Sequence, residues 1–169
     1  IPNHQVFRNT PLHTRANVAY FGTFGYELDL NKLSYEEISE VKQQIAFMKE
    51  YRELIQFGTF YRLKSPFEGN ETAWMTVSED KKTALVFWYR ERNVVNADFT
   101  RVRLQGLDPD FIYRNEYNGT ENYGDELMNL GLLTTDCTAG EPTSEDAPCT
   151  DYESRIYVLT TVARIPSPL

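Results

Sequence analysis

Residues 65–90 constrain the fold more than any other stretch, because they contain two aromatic-rich runs joined by a short polar turn. The runs cover residues 73–78 and 83–90, and the turn covers residues 79–82. Successive side chains of a strand point to opposite faces, so the second run places Ala84, Val86 and Trp88 opposite Leu85, Phe87 and Tyr89. A strand that is apolar on both faces needs cover on both. The pattern therefore predicts a central strand of a layered β domain.

The sequence after Gly58 keeps this two-residue period. Candidate strands cover residues 59–64, 73–78, 83–90, 99–105, 111–115 and 154–162. Residues 106–110, Gly-Leu-Asp-Pro-Asp, supply turn chemistry between two of them. Strands at this spacing, with no helix predicted between them, indicate a mainly β domain over residues 59–169, an antiparallel sandwich or an open barrel.

The first 58 residues follow a different period. Thr10 as a capping hydroxyl, followed by Pro11 at the first helical position, predicts the start of a short helix, and residues 22–28 read as a strand. Ser34 and Glu37 match a capping box, and the apolar stripe that follows predicts one long amphipathic helix, ending near Gly58 in a left-handed glycine. One such helical piece cannot complete a parallel sheet. We therefore expect residues 1–58 to be the end of a larger α/β domain.

Charge and cysteine content limit the classes of partner and site. The net charge of −8 argues against a nucleic acid or an anionic membrane as partner, because phosphates require clustered Lys and Arg. The two cysteines do not predict a zinc site, because they have no companion pair and no nearby histidine, the only histidines being His4 and His13. Cys137 and Cys149 bracket a polar loop that a disulfide would close, and the sequence leaves the bonded and the free state equally open.

Several motifs occur together in one order. They are Pro2-Asn3-His4-Gln5, Gly22-Thr-Phe-Gly-Tyr-Glu-Leu-Asp-Leu30, Tyr51-Arg-Glu-Leu-Ile-Gln56, Tyr61-Arg-Leu63, Ser65-Pro-Phe67, Ala73-Trp74, Ala84-Leu-Val86 and Gly106-Leu-Asp-Pro-Asp110. This series closely resembles the C-terminal part of the α-galactosidases of glycoside hydrolase family 36. Each motif is weak alone, but the series covers the chain up to about Leu133.

The resemblance implies a three-part enzyme, with an N-terminal β-sandwich, a central (β/α)8 barrel and a C-terminal antiparallel β domain. Residues 1–58 would then be the terminal segment of the catalytic barrel, and residues 59–169 the C-terminal domain. The implied activity is hydrolysis of terminal α-galactosyl residues, as in melibiose and raffinose, with retention at the anomeric carbon. Retention needs a carboxylate nucleophile and an acid, which the family supplies as two aspartates upstream of Ile1.

The resemblance also determines which catalytic residues, cofactors, partners and cellular location we expect. We expect no catalytic residue in this chain and no activity of the isolated chain. No metal or other cofactor is expected, and the partners would be the rest of the α-galactosidase chain, its substrate and a homo-oligomer. A cytoplasmic location is favoured by resemblance, and secretion is the alternative.

Candidate binding residues are few. By resemblance Asn3, His4 and Gln5 follow barrel strand seven, where loops build active sites, so they are candidate substrate contacts or loop braces. Glu27 and Asp29 are not expected to form the glycosidase pair, and Asp29 can serve as a turn or capping residue.

Aromatic residues offer an alternative function. Tyr61, Trp74, Trp88 and Tyr89 could form a sugar platform, as in a carbohydrate-binding accessory module. Alternation instead predicts that Trp88 is a core residue, which favours a structural role for the β domain.

Overall fold

The computed structural model of the protein describes residues 10–94, 99–134 and 151–164. The chain divides into two units, Ile1–Phe57 and Gly58–Leu169. The first unit contains the helices α1 (Leu12–Ala19) and α2 (Tyr35–Phe57), with a 3-10 turn at Leu30–Lys32 between them. None of the helices within the described residues is long and apolar enough to cross a membrane.

Local chemistry explains where α2 starts. The Glu37 carboxylate accepts a hydrogen bond from the Ser34 backbone N–H at 2.8 Å, and the Ser34 hydroxyl accepts one from the Glu37 N–H at 3.2 Å. The predicted capping box is therefore confirmed. The helix ends at Phe57 as expected, but Gly58 is not among the glycines with positive φ, so the left-handed stop is wrong and the chain runs directly into the next strand.

Two predictions for the first unit need correction. Helix α1 forms, but its N-cap is Pro11 and no side chain caps it, so the capping role expected for Thr10 is wrong. The strand predicted at 22–28 is absent, since residues 23–27 pair with no described strand. A strand is held by backbone hydrogen bonds to a neighbour, and the described residues of this unit contain no other strand to provide them.

The second unit is built on one antiparallel sheet. Its strands are β1 (Thr59–Lys64), β2 (Glu71–Val77), β3 (Thr83–Arg90), β5 (Phe111–Asn115), β6 (Glu121–Tyr123) and β8 (Glu153–Arg164). They lie in the order β1-β2-β3-β8-β5-β6, with every neighbouring pair antiparallel. The strand β4 (Arg101–Val102) pairs separately with β7 (Leu132–Leu133), and the short helix α3 (Gly124–Asn129) precedes β7.

The core lies on one face of the six-stranded sheet. Its largest fully buried side chains include Met75, Trp88, Tyr113, Tyr157 and Leu159. Residues of β4, β7, α3 and the turn after β4 belong to the same cluster, and they are Val102, Leu104, Leu107, Leu127 and Leu132. The mainly antiparallel β class is confirmed. The second layer contains a two-stranded sheet and a helix, so closure into a sandwich of two full sheets is not confirmed.

The opposite face of β3 is also buried. Leu85 and Phe87 have no solvent exposure, and β3 has a paired strand on each side. The prediction of a central strand covered on both faces is confirmed. Its length follows from its composition, because β-branched and aromatic residues suit a pleated, buried surface.

Candidate functional site

The carboxylates next to the 3-10 turn behave differently from each other. Asp29 Oδ1 accepts hydrogen bonds from the backbone N–H of Asn31 at 3.1 Å and from Asn31 Nδ2 at 3.0 Å. The expected turn-capping role of Asp29 is therefore confirmed. Glu27 is exposed and makes no hydrogen bond or ion pair with any described residue. The structure thus engages one of the two carboxylates in local structure and leaves the other available.

A hydrogen-bonded cluster fixes the segment before Asp29 to helix α2. Tyr20 donates from its hydroxyl to the Gln44 carbonyl oxygen at 3.2 Å. Tyr26 donates to Gln44 Oε1 at 2.5 Å, and Gln44 Nε2 donates to Glu40 Oε1 at 2.8 Å. Burial raises the pKa of Tyr20 and of Tyr26, and the Glu40 carboxylate adds to both shifts. Both phenols therefore stay neutral and act as donors.

The side chains of segment 23–29 alternate between two sides. Phe24, Tyr26 and Leu28 are half-buried, whereas Thr23, Gly25, Glu27 and Asp29 are exposed. The Phe24 ring stacks on Tyr20 with centroids 4.9 Å apart and meets Tyr26 edge-on at 5.4 Å. The two helices and their aromatic contacts therefore hold one side of the segment, and Glu27 projects from the other.

The aromatic residues of the β domain do not form one surface. Trp88 is completely buried in the core, as predicted, and Tyr61 packs against that core. Trp74 and Tyr89 lie on neighbouring strands, and their ring centroids are 4.7 Å apart. In the pairing of β2 with β3, Trp74 lies opposite Phe87 and Tyr89 lies opposite Thr72. The alternation of β3 puts Trp88 and Tyr89 on opposite faces. A platform made from all four rings is therefore excluded.

A charged row crosses the end of the sheet. It consists of Lys64, Glu71, Arg90, Glu153 and Arg155, and register pairs Glu71 with Arg90 and Arg90 with Glu153. Lys64 forms an ion pair with Glu71, Arg90 forms one with Glu153, and Arg155 Nη2 lies 2.5 Å from Glu153 Oε1. The side chain of Arg90 is only 8% exposed and that of Glu153 17%. Because these charges already pair with one another, the row helps to fix the register of the strands and is not a candidate ligand site.

A cleft of about 350 Å³ lies beside this row, lined by residues 63–65 and 68–71. Two of its polar side chains, Asn70 and Glu71, are already bonded. Thr100 donates to Glu71 Oε1 at 2.9 Å, and Asn70 exchanges hydrogen bonds with the backbone of Arg92. These hydrogen bonds hold the loop that lines the cleft in place, and they do not indicate a ligand site.

The other predicted site residues lie outside the described residues. These are Asn3, His4 and Gln5 in the proposed substrate loop, and Cys137 and Cys149 in the polar loop. Their roles stay predictions. In residues 10–94, 99–134 and 151–164 no group of three or more His, Cys, Asp or Glu side chains could hold a metal ion.

Sequence reasoning missed the cluster at Gln44 and the charged row. The sequence did indicate two members of the charged row, because Lys64 and Arg90 each end a predicted strand. Only the pairing register of the strands shows which charged residues lie next to each other. The partners of Gln44 come from different elements, and no local pattern links Tyr20 or Tyr26 to it.

Comparison with known proteins covers both units. The model described as the glycosyl hydrolase family 36 C-terminal domain matches residues 71–159. The chain belongs to glycoside hydrolase family 36. A second model, described as melibiase, matches residues 1–58. The resemblance noted from the motifs is thereby confirmed.

The relatives of this family 36 chain are much longer than the chain. The α-galactosidase AgaA of Geobacillus stearothermophilus is 53% identical over 132 residues, which are 78% of this chain and 18% of that protein. The bifunctional α-galactosidase/sucrose kinase AgaSK of Mediterraneibacter gnavus is 44% identical, over 78% of this chain and 14% of its own length. The chain thus spans less than a fifth of these relatives.

Solved family 36 structures also match this chain over nearly all of its length. A variant of AgaA in complex with 1-deoxygalactonojirimycin superposes with a TM-score of 0.84 at 45% identity, covering 96% of this chain and 21% of that one. The α-galactosidase from Lactobacillus brevis gives a TM-score of 0.85 at 40% identity, covering 100% of this chain and 22% of that one.

Proposed function

We propose that this chain is the C-terminal part of a retaining α-galactosidase that hydrolyses terminal α-galactosyl residues of the melibiose and raffinose type. The observation that carries the proposal is the match to AgaA, with a TM-score of 0.84 at 45% identity over 96% of the chain. A further AgaA variant is described in complex with raffinose, which supports this substrate class.

Within that enzyme the chain is non-catalytic, its β domain is structural, and the two catalytic aspartates lie upstream. A retaining pair needs two carboxyl groups roughly 5 Å apart, one of them an acid with a raised pKa. Glu71 and Glu153, the carboxylates of the charged row, already form ion pairs with Lys64 and with Arg90. Hydrogen bonds lower the pKa of Glu36 and of Asp80, a shift opposite to that of a general acid. The carboxylates of the described residues thus support a non-catalytic role.

A carbohydrate-binding module is the alternative that the aromatic content suggested. The burial of Trp88 and the separation of Trp88 from Tyr89 count against it. The proposed partners are the rest of the α-galactosidase chain, an α-galactoside and further copies in a homo-oligomer. The location proposed from family resemblance is cytoplasmic, which fractionation of the source cells would test.

Hydrolysis of p-nitrophenyl α-galactoside tests the proposal. The full-length enzyme that contains this chain should release p-nitrophenol, and proton NMR should show the α-anomer of galactose first. The isolated chain, checked for folding by circular dichroism, should release none. Turnover by the purified isolated chain would contradict the upstream placement of the catalytic pair, and an inactive full-length enzyme would contradict the proposed activity.

Calorimetry separates the structural role from the binding-module role. The isolated chain is titrated with melibiose and with galactomannan oligosaccharides. The structural role predicts only heat of dilution. Saturable heat with either sugar would overturn it in favour of the binding module.

A further inference from the structure

Segment 23–29 has a helix side and a free side. Tyr26 is tied to Gln44 on α2, and Phe24 stacks on Tyr20. Thr23, Gly25 and Glu27 occupy the alternate, exposed positions. This arrangement fixes which side chains point away from the two helices.

The residue types on the free side do not suit a second layer of helices. A strand covered by helices on both faces reads as a nearly continuous apolar run. Here the free side carries a hydroxyl, a glycine and a carboxylate. Such a side suits the wall of a polar cavity.

Glu27 occupies the end of the segment where ligands are usually bound. The chain runs from α1 through residues 23–29 and then into the 3-10 turn and α2, so Glu27 lies near the carboxyl end. The segment pairs with no described strand, but in the proposed α-galactosidase the family resemblance makes it the last strand of the barrel, and barrel enzymes bind their substrates at the carboxyl ends of the strands. Asp29, two residues later, is committed to Asn31, whereas Glu27 has no hydrogen bond or ion pair to the described residues.

We infer that Glu27 is a substrate-binding residue of the proposed α-galactosidase, whose carboxylate accepts hydrogen bonds from hydroxyl groups of the galactosyl ring. The inference rests on the proposed function. An ionised carboxylate accepts only, and a sugar hydroxyl can donate to it in a short, charge-assisted bond. Glu27 makes no covalent bond and moves no proton in this role. It orients the ring, and the upstream aspartates perform the chemistry.

The test uses the full-length enzyme that contains this chain and three single variants. Glu27→Gln keeps the shape of the side chain and removes its charge. Glu27→Asp keeps the charge and shortens the reach. Glu53→Gln, on the exposed face of α2, is the matched control. Initial rates are measured with p-nitrophenyl α-galactoside and with analogues that each lack one ring hydroxyl, and melting curves check folding.

The expected loss follows from leaving a sugar hydroxyl without its charged acceptor. Glu27→Gln should lower kcat/KM for the intact galactoside about 10- to 100-fold. The loss should shrink to about threefold or less with the one analogue that lacks the contacted hydroxyl, because the interaction is then missing in both enzymes. Glu27→Asp should recover part of the rate, and Glu53→Gln should leave it unchanged.

Three results would overturn the inference. They are an unchanged kcat/KM in Glu27→Gln, an equal loss with every deoxy analogue, and a loss that follows only a lower melting temperature. In each case the wild-type enzyme is active, so the proposed function survives. A wild-type enzyme that hydrolyses no α-galactoside would instead refute the proposed function and the role of Glu27 with it.

Discussion

Removal of the Glu153 charge should unfold the β domain at a much lower temperature. Glu153 holds Arg90 through one oxygen and Arg155 through the other, and its side chain is 17% exposed. Glu153→Gln removes the carboxylate that pairs with the largely buried Arg90 guanidinium, and it removes one of the partners of Arg155. Loss of one member of a buried ion pair costs about 3–5 kcal/mol. Because glutamine keeps one acceptor oxygen, we expect the lower end, about 3 kcal/mol.

This loss can be measured from the intrinsic tryptophans, since Trp74 and Trp88 both lie in the β domain. Each kcal/mol lowers the melting temperature of a domain of roughly this size by about 4 °C or more, so the expected shift is about 10–15 °C. Urea unfolding at pH 7, followed by fluorescence, gives the free energy directly.

An exposed ion pair provides the control. Lys82 lies 4.0 Å from Asp80, with side chains 63% and 60% exposed. Lys82→Gln should change the free energy of unfolding by no more than about 0.5 kcal/mol. If Glu153→Gln costs less than about 1 kcal/mol, the charged row does not stabilise the sheet and the reasoning from its burial is wrong.

Two further variants test local chemistry. The N–H of Lys82 and the hydroxyl of Ser78 hold the pKa of Asp80 below its usual range. The stabilisation by the Asp80 carboxylate is therefore present above about pH 4 and is lost as the pH falls further. Asp80→Asn should lower the free energy of unfolding at pH 7 by about 0.5 kcal/mol and should match the wild type near pH 2. Urea midpoints that differ equally at both pH values would contradict this. Gly131 has a φ of 92°, and an added Cβ would lie 2.9 Å from the carbonyl of Val102. Gly131→Ala should lower the free energy of unfolding, measured by thermal unfolding, by about 1–3 kcal/mol. Gly69→Ala is the control and should cost little, because a Cβ at Gly69 meets nothing within 4 Å. Equal losses in the two variants would refute the steric argument.

The strands with strong alternation could be predicted from the sequence. The bounds of β1, β3 and β5 agree with the predicted ranges, because period-two patterns and flanking turn residues define both ends. The predicted strand 99–105 shortened to Arg101–Val102, since only those two residues find a partner in β7. Helix α3 was missed, because six residues are too few to show a helical period.

The functional residues were harder to predict than the strands. Period alone placed Trp88 in the core, because alternation puts it on the same face as Ala84 and Val86. The capping role of Asp29 was suggested by its residue type. The contrast between Asp29 and Glu27 needed the structure, because it depends on which side of segment 23–29 is tied to Gln44. Contacts between distant elements leave no local pattern.

The position of β8 in the sheet has a consequence for how the protein is made. β8 is the last of the strands in the described residues, yet it lies between β3 and β5, and Thr83 pairs with Thr160. Until residues 153–164 leave the ribosome, the sheet exists as two separate parts, and β3 presents an open apolar edge. Unpaired edges of this kind associate with other chains. Synthesis of β8 therefore closes this edge, and pairing between segments that lie so far apart in the sequence is slow.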